Sequence, residues 1–414
     1  MPVSKQRCTE VIKYLEENGQ EATERFFRLP SETITRYQRA YNAYSVEPDE
    51  PIDDENALVT LEAQKQKASD LNGILRKANR ESYRLYNSLE AVYDEYVTLL
   101  KSSVFTDFTV KKHTVTHQGR IGVMHFSDMH LNELISPEES NGNVYDFTVA
   151  SKRLKKYVSE SIELLHMYKA EQVYVMLTGD LINSNRRLSE KMASATSQTR
   201  ASLLATYLIQ QVIIELAQEF SVSVASVSGN EGRIGDENFD SCDVLSSENW
   251  DYLIYNNLRM LFDGKPVEFI DGASNITQVV TLDNGFNVML THGNFMKGAI
   301  SDKQIGTMLQ GYLYRGVPIH MVLIGHLHSA SVGDTVCRSS SLCGGNSYST
   351  NDLYYISRAS QNLYIVNPDM GFHGIKIDLQ NTDGIEGYNI IKELEMYHVR
   401  GVLPNTRVTI DSLI

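Results

Sequence analysis

Beyond Gly119 the chain alternates short, nearly continuous apolar runs with longer segments of helical periodicity. Arg120-Ile-Gly-Val-Met-His-Phe126, Val173-Tyr-Val-Met-Leu177, Val222-Ser-Val-Ala-Ser-Val227, Asn287-Val-Met-Leu-Thr291 and Val317-Pro-Ile-His-Met-Val-Leu-Ile324 read as strands. Short apolar runs of this kind suit strands. Strands alternating with helices predict an α/β layered domain over residues 119–414.

The part before Gly119 is patterned differently. Residues 1–46 predict a small all-α unit: one helix over Thr9–Asn18, then helix, tight turn and helix within Glu21–Tyr41. Thr23, Phe27, Leu29, Ile34 and Tyr37 would face its core, and Pro30 and Ser31 suit a helix start. This segment resembles the helix-turn-helix of site-specific DNA-binding proteins. The resemblance implies that Ser31, Glu32, Thr35, Arg36 and Arg39 face the major groove, with Ser31, Thr35, Arg36 and Arg39 as the DNA contacts. A helical hairpin that only packs against a partner is the alternative. Residues 47–55, within Ser45-Val-Glu-Pro-Asp-Glu-Pro-Ile-Asp-Asp-Glu55, carry two prolines among acids and predict an exposed linker.

Residues 56–105 predict one long helix. Leu71, Leu75, Ala78, Ser82, Leu85, Leu89, Val92, Tyr96 and Leu99 alternate spacings of four and three, a heptad seam flanked by charge. A self-paired coiled coil would make a homo-oligomer and set two helix-turn-helix units on DNA. The alternative is one apolar face packed on the α/β domain.

Composition narrows the class. Hydrophobic residues make up 42% and charged residues 22%, as in an ordinary folded protein. No apolar run approaches the roughly 18 residues of a transmembrane helix, and Met-Pro-Val-Ser-Lys-Gln-Arg-Cys lacks a signal-peptide core. The cysteines at 8, 242, 337 and 343 form no Cys-x-x-Cys pair, so reduced thiols and a cytoplasmic location are expected. A net charge of -14 argues against a general nucleic-acid coat but not against a local basic surface.

Chemistry concentrates just past the predicted strands. Asp128-Met-His130, Gly179-Asp180, Gly229-Asn230, His292 and Gly325-His326-Leu-His328 each follow one apolar run. Loops beyond the carboxyl ends of strands are where open α/β folds bind ligands. Imidazole and carboxylate together favour Mn, Fe, Zn or Ni over Ca. Asp128/His130 and His326/His328 can each point alternate residues at one centre, and Asp180 can bridge two ions about 3.5–4 Å apart. Two divalent ions, two aspartates, a hydroxide and a phosphodiester would together be neutral, so the site should attract an anionic phosphate. Mn2+ is expected first, with Fe, Zn, Ni or Mg as alternatives.

These residues resemble the calcineurin-like metallophosphoesterase superfamily over roughly residues 119–380. The resemblance implies a two-sheet sandwich flanked by helices. One metal would be held by Asp128, His130, Asp180 and His328, the other by Asp180, Asn230, His292 and His326. It implies a phosphodiesterase or nuclease in which a metal-bound hydroxide attacks the diester. With its N-terminal units the chain is similar to phosphoesterases or DNA-repair-type exonucleases of bacteriophages and their hosts, which implies DNA as substrate and partner. Two alternatives stand beside it: a phosphoesterase for a small nucleotide or phosphoprotein, and a non-enzymatic DNA-binding regulator with a structural metal site.

One position departs from the superfamily. Where the Gly-Asn pair is usually followed by a histidine that protonates the leaving oxygen, this chain has Glu231. Glu231 is expected as a catalytic residue beside Asp180 and Asn230 if its carboxyl is protonated. Arg233 or His125 would otherwise substitute, or the ester's leaving group would need little protonation. Arg233 and Asn132 are expected at the substrate, with Arg186 and Arg187 as further phosphate candidates. Ser339–Asn346 would rim the cleft or form a plain turn.

Overall fold

The computed structural model describes residues 5–44, 107–116, 119–234, 247–294, 302–346 and 358–402, except 139, 141 and 273, together with 72, 73, 76 and 105. Two compact units divide the chain, Met1–Leu89 and Glu90–Ile414. The expected linker, nearly all of the expected coiled coil and Cys242 lie outside the described residues.

The first unit holds helices α1 (Lys5–Asn18), α2 (Gln20–Phe27) and α3 (Ser31–Tyr44). Cys8, Val11, Ile12, Thr23 and Ile34 are buried among them, so a few side chains from each helix make the core. Phe27, Leu29 and Tyr37 are only half-buried. Arg28, at φ 52°, turns the chain out of α2. Ser31, Glu32, Thr35, Arg36 and Arg39 share the exposed side of α3. The hydroxyl of Ser31 already accepts from Gln20 Nε2 at 2.6 Å.

The second unit is mixed α/β. Its elements, in chain order, are β1 (Arg120–Phe126), α4 (Phe147–Met167), β2 (Ala170–Leu177), α5 (Leu188–Met192), α6 (Gln198–Glu219), β3 (Ser221–Ser226), α7 (Trp250–Leu261), β4 (Val267–Phe269), β5 (Thr277–Thr281), β6 (Asn287–Thr291), α8 (Asp302–Tyr314), β7 (Met321–Ile324), β8 (Ser331–Val332), β9 (Val336–Arg338), β10 (Ser360–Val366), β11 (Phe372–Asp378) and α9 (Ile391–Met396). One sheet runs β11-β10-β1-β2-β3-β4, the other β5-β6-β7-β9-β8. β1 to β4 are mutually parallel, as are β6, β7 and β9, while antiparallel strands close three of the four edges.

The apolar runs have a physical reason. Successive strand residues point to opposite faces, and here both faces are buried. In β2, Val173, Val175 and Leu177 pack into a cluster that includes Leu154, Leu204 and Leu258 of α4, α6 and α7. Tyr174 and Met176 instead join Val288, Leu290 and Leu323 of the other sheet. Val322 and Ile324 on the far face of β7 meet Ile305 of α8. The order is therefore helices, sheet, sheet, helix. The strand expected over residues 317–324 begins only at Met321. Pro318 lacks an N–H for a ladder, and its carbonyl accepts from Asn287 Nδ2 at 2.7 Å.

Candidate metal centre

β1, β2 and β3 lie side by side and parallel, so the loops after their carboxyl ends meet. Asp128 N–H donates to Gly179 at 3.1 Å, and His130 and Leu131 donate to Asp180 and Leu181 at 3.1 and 2.9 Å. In the second sheet, Gly325 N–H donates to the His292 carbonyl at 3.1 Å. These strand ends bring two ligand sets together, Asp128/His130/His328 and Asp180/His292/His326. Within each set the potential ligand atoms lie within 4.8 Å of one another, a geometry that can hold a metal ion.

The local backbone is shaped for this. Asp128 (φ 47°), His130 (47°), Asp180 (52°), His326 (68°) and His328 (50°) all adopt the left-handed region. That conformation costs a non-glycine residue roughly 1–2 kcal/mol, and such outliers concentrate at functional sites. Glycine is needed at 229 by proximity: a Cβ there would lie 2.8 Å from Asp180 Cγ.

Hydrogen bonds fix the candidate ligands. Asp128, fully buried, accepts from Ser127 Oγ at 2.6 Å and from the His326 N–H at 3.0 Å. Burial opposes its ionisation, but His328 and the other imidazoles hold the carboxyl below the usual carboxylate range. His292 Nδ1 lies 2.8 Å from the Thr178 carbonyl and must donate to it, which leaves Nε2 facing Asp180 Oδ2 at 3.0 Å and Asn230 Oδ1 at 3.1 Å. A second hydrogen bond of this kind fixes the tautomer of a ligating histidine. Burial alone would depress the His292 imidazole; the Asp180 carboxylate overrides it and raises the pKa to about 10. Asp180 also feels the His130 and Asp128 charges, which sets it electrostatically between the two ligand sets.

Asn230 and Glu231 sit at the same edge, both half-buried. Glu231 N–H donates to Asp180 Oδ1 at 2.7 Å, and its carboxylate accepts from Asn230 Nδ2 at 2.9 Å and Ser184 N–H at 3.0 Å. Burial and then the Asp180 charge raise the Glu231 carboxyl above its ordinary value. Ser184 Oγ donates to Glu190, and Arg186 Nε donates to Ser184 Oγ. Exposed Arg187 donates its N–H to Glu190.

Other expected residues take different places. The buried Asn132 has both ends of its amide committed: Oδ1 accepts from Thr196 N–H at 2.8 Å and Nδ2 donates to the Thr196 carbonyl at 3.1 Å. It braces the loop that carries Thr196. Arg233 is half-buried and bridges Asn249 through its backbone. His125 is fully buried, its Nε2 beside Thr178 Oγ at 2.9 Å, and burial lowers its pKa to about 3. Residues 339–345 are buried beneath the Asp128 loop. Ser341 Oγ and Leu342 N–H donate to the Asp128 carbonyl, and the buried Arg153 holds the Leu342 and Cys343 carbonyls. Cys8, Cys337 and Cys343 are free thiols.

Sequence reasoning missed Asp251. Its fully buried carboxylate accepts from Asp180, Leu181 and Gly229 N–H groups at 2.9, 3.0 and 2.9 Å, clamping two ligand loops together. Asn249 caps α7, accepts from Asp251 N–H and donates to the Gly229 carbonyl at 2.9 Å. Burial and then the Asp180 charge push Asp251 up to about 7, against the pull of these donors. The available signal was the capping Asn249 followed by an acid in the first helical turn.

No helix among the described residues is long and apolar enough to cross a membrane. No protein-family model and no curated protein matches the chain. Among solved structures, the chain is similar to the sulfate thiohydrolase SoxB of Thermus thermophilus in complex with glycerol, with 11% identity and a TM-score of 0.33. The match covers 69% of this chain and 61% of that one, so it spans less than two thirds of the SoxB chain.

Proposed function

We propose that the chain is a phosphoester hydrolase of the metallophosphoesterase type, a phosphodiesterase or nuclease acting on DNA. Two divalent ions, Mn2+ first, would be held by Asp128, His130, Asp180 and His328 and by Asp180, Asn230, His292 and His326. The pair of ligand sets at converging strand ends carries this reading. When bound, such an ion pair supplies an activated nucleophile and a clamp for the charge at phosphorus.

The chain's own contribution is preorganisation. Ser127 and the His326 N–H hold Asp128, while the Thr178 carbonyl holds His292 with Nε2 facing the site. Asp180 is held by the Glu231 N–H on one oxygen and by His292 on the other. A nucleophile and a phosphate fixed by such a frame meet at little entropic cost. His125 drops out as the proton donor for the leaving oxygen, because it is buried within β1 and neutral at physiological pH.

The exposed Ser31, Thr35, Arg36 and Arg39 of α3 support DNA as the partner, and residues 56–105 would pair two copies. A second reading, a small-nucleotide or phosphoprotein phosphoesterase with an N-terminal protein-docking unit, is favoured by the Gln20–Ser31 bond and by Glu32 on that exposed side. Assays with Mn2+ on single- and double-stranded DNA and on bis-p-nitrophenyl phosphate separate the two. DNA cleavage that Asp180→Asn abolishes is expected. Hydrolysis of the small diester without DNA cleavage would favour the second reading. Two bound ions without any turnover would leave a structural metal site.

A further inference from the structure

We propose that Glu231 is a positioning residue that fixes which end of the Asn230 amide faces the metal centre. The inference rests on the two-metal reading above. An asparagine side chain binds a cation through oxygen only, and its two ends have nearly the same shape. Something must therefore select the orientation. Nδ2 is the amide atom that donates to Glu231 Oε1, at 2.9 Å, and a carboxylate oxygen accepts from that end of the amide. The opposite end is then Oδ1, which lies 3.1 Å from His292 Nε2, on the ligand side.

Glu231 is itself held at three points. Its second oxygen accepts from the Ser184 N–H at 3.0 Å, and its own N–H donates to Asp180 Oδ1 at 2.7 Å. One residue thus touches the shared aspartate, the amide ligand and the loop after β2. Both carboxylate oxygens already accept a hydrogen bond, so the side chain is engaged with the ligand and its loop. A histidine here would not impose the same orientation, since its ring nitrogens can donate as well as accept. The exchange of histidine for glutamate would then change how the amide ligand is fixed.

The test reads metal binding, not turnover. Mn2+ stoichiometry and affinity are measured by isothermal titration and elemental analysis on the full chain and on E231A, E231Q, N230D and the double variant E231A/N230D. Circular dichroism monitors the fold. The full chain should bind two ions. E231A should keep one and weaken the other roughly tenfold to a hundredfold, the usual cost of losing an outer hydrogen bond to a ligand. E231Q, which keeps the size and one acceptor, should fall between. N230D alone should bind the second ion poorly, because two carboxylates then abut. The double variant should bind it better than either single variant, since a carboxylate ligand has no wrong end.

Two tightly bound ions in E231A with a fall only in kcat would overturn the proposal in favour of a proton-donating Glu231. Loss of both ions or of the fold in E231A and E231Q alike, without rescue by N230D, would overturn it in favour of a general structural brace. An unmodified chain that binds no divalent ion would sink the two-metal reading itself, an outcome distinct from both.

Discussion

The Nε2 atoms of His130 and His328 lie 3.0 Å apart, although the two residues are 198 positions apart in sequence. Two imidazole nitrogens that close need a shared proton or a shared cation between them. Asp128 Oδ1, 3.3 Å from His328 Nε2, supplies the negative charge that suits a cation. Replacing either histidine with alanine should remove one of two bound ions. Mn2+ at a hundred times its Kd should stabilise the native chain by about 2.7 kcal/mol per site. Elemental analysis and thermal unfolding with and without Mn2+ check this. Unchanged stoichiometry in both variants would refute the assignment.

His292 links metal binding to pH. Metal-free, its pKa is raised from 6.5 to about 10 by Asp180, against the effect of burial. A raised histidine contributes stability that is fully present below pH 6.5 and lost as pH rises through about 10. Metal-free protein should therefore lose stability across that window, and His292→Asn should flatten the loss. A ligating imidazole must shed its Nε2 proton, so ion binding at pH 8 should release a proton. Titrations in buffers of different ionisation enthalpy read that proton directly, and the same heat in all buffers would contradict the linkage.

The buried His125 has the opposite sign. Its folded pKa of about 3 lies below the 6.5 of a free imidazole. The unfolded chain therefore takes up a proton that the native chain refuses, and stability falls as pH drops below 6.5. At pH 5 the loss is about 2 kcal/mol, from 1.36 kcal/mol per pH unit. Denaturant unfolding at pH 7 and pH 5 measures it. His125→Gln should remove most of this slope, and an unaltered slope would show that other groups carry it.

Asp251→Asn tests the clamp between ligand loops. One amide oxygen cannot replace a carboxylate that accepts three backbone N–H groups, and the amide NH2 would face a donor. A buried donor left unpaired costs about 1–3 kcal/mol, so a loss of about 3 kcal/mol is expected, with weaker binding at Asp180. The exposed Asp263→Asn is the control. Urea unfolding and Mn2+ titration provide the readout, and equal behaviour of the two variants would dismiss the clamp.

The loops that carry the candidate ligands were legible in sequence because two signals coincide there. Strands buried on both faces appear as apolar runs, and short polar motifs with glycine mark where they end. The β1, β2 and β6 runs stand where the pattern puts them. The supports were not legible, because they act across distance. Asp251 is 22 residues from Gly229 and looks like any acid opening a helix. Asn132 stands two residues past His130, and nothing in that spacing shows that its amide pairs with Thr196. Pro318 sits in an apolar run whose first residues never enter the sheet. Arg153 carries no sequence signal of its place, buried against the loop beneath Asp128.

Each ligand set draws on both sheets: Asp128, His130 and Asp180 follow strands of the first, while His292, His326 and His328 follow strands of the second. An ion bound there would therefore be a rivet between two layers otherwise joined largely through apolar packing. Contacts so distant in sequence carry a large loop-closure cost, which a bound ion would help to offset. Chelation would then act like cutting a cross-link. It would quicken the separation of the sheets and shorten the lifetime of the native state, even where the equilibrium fold survives.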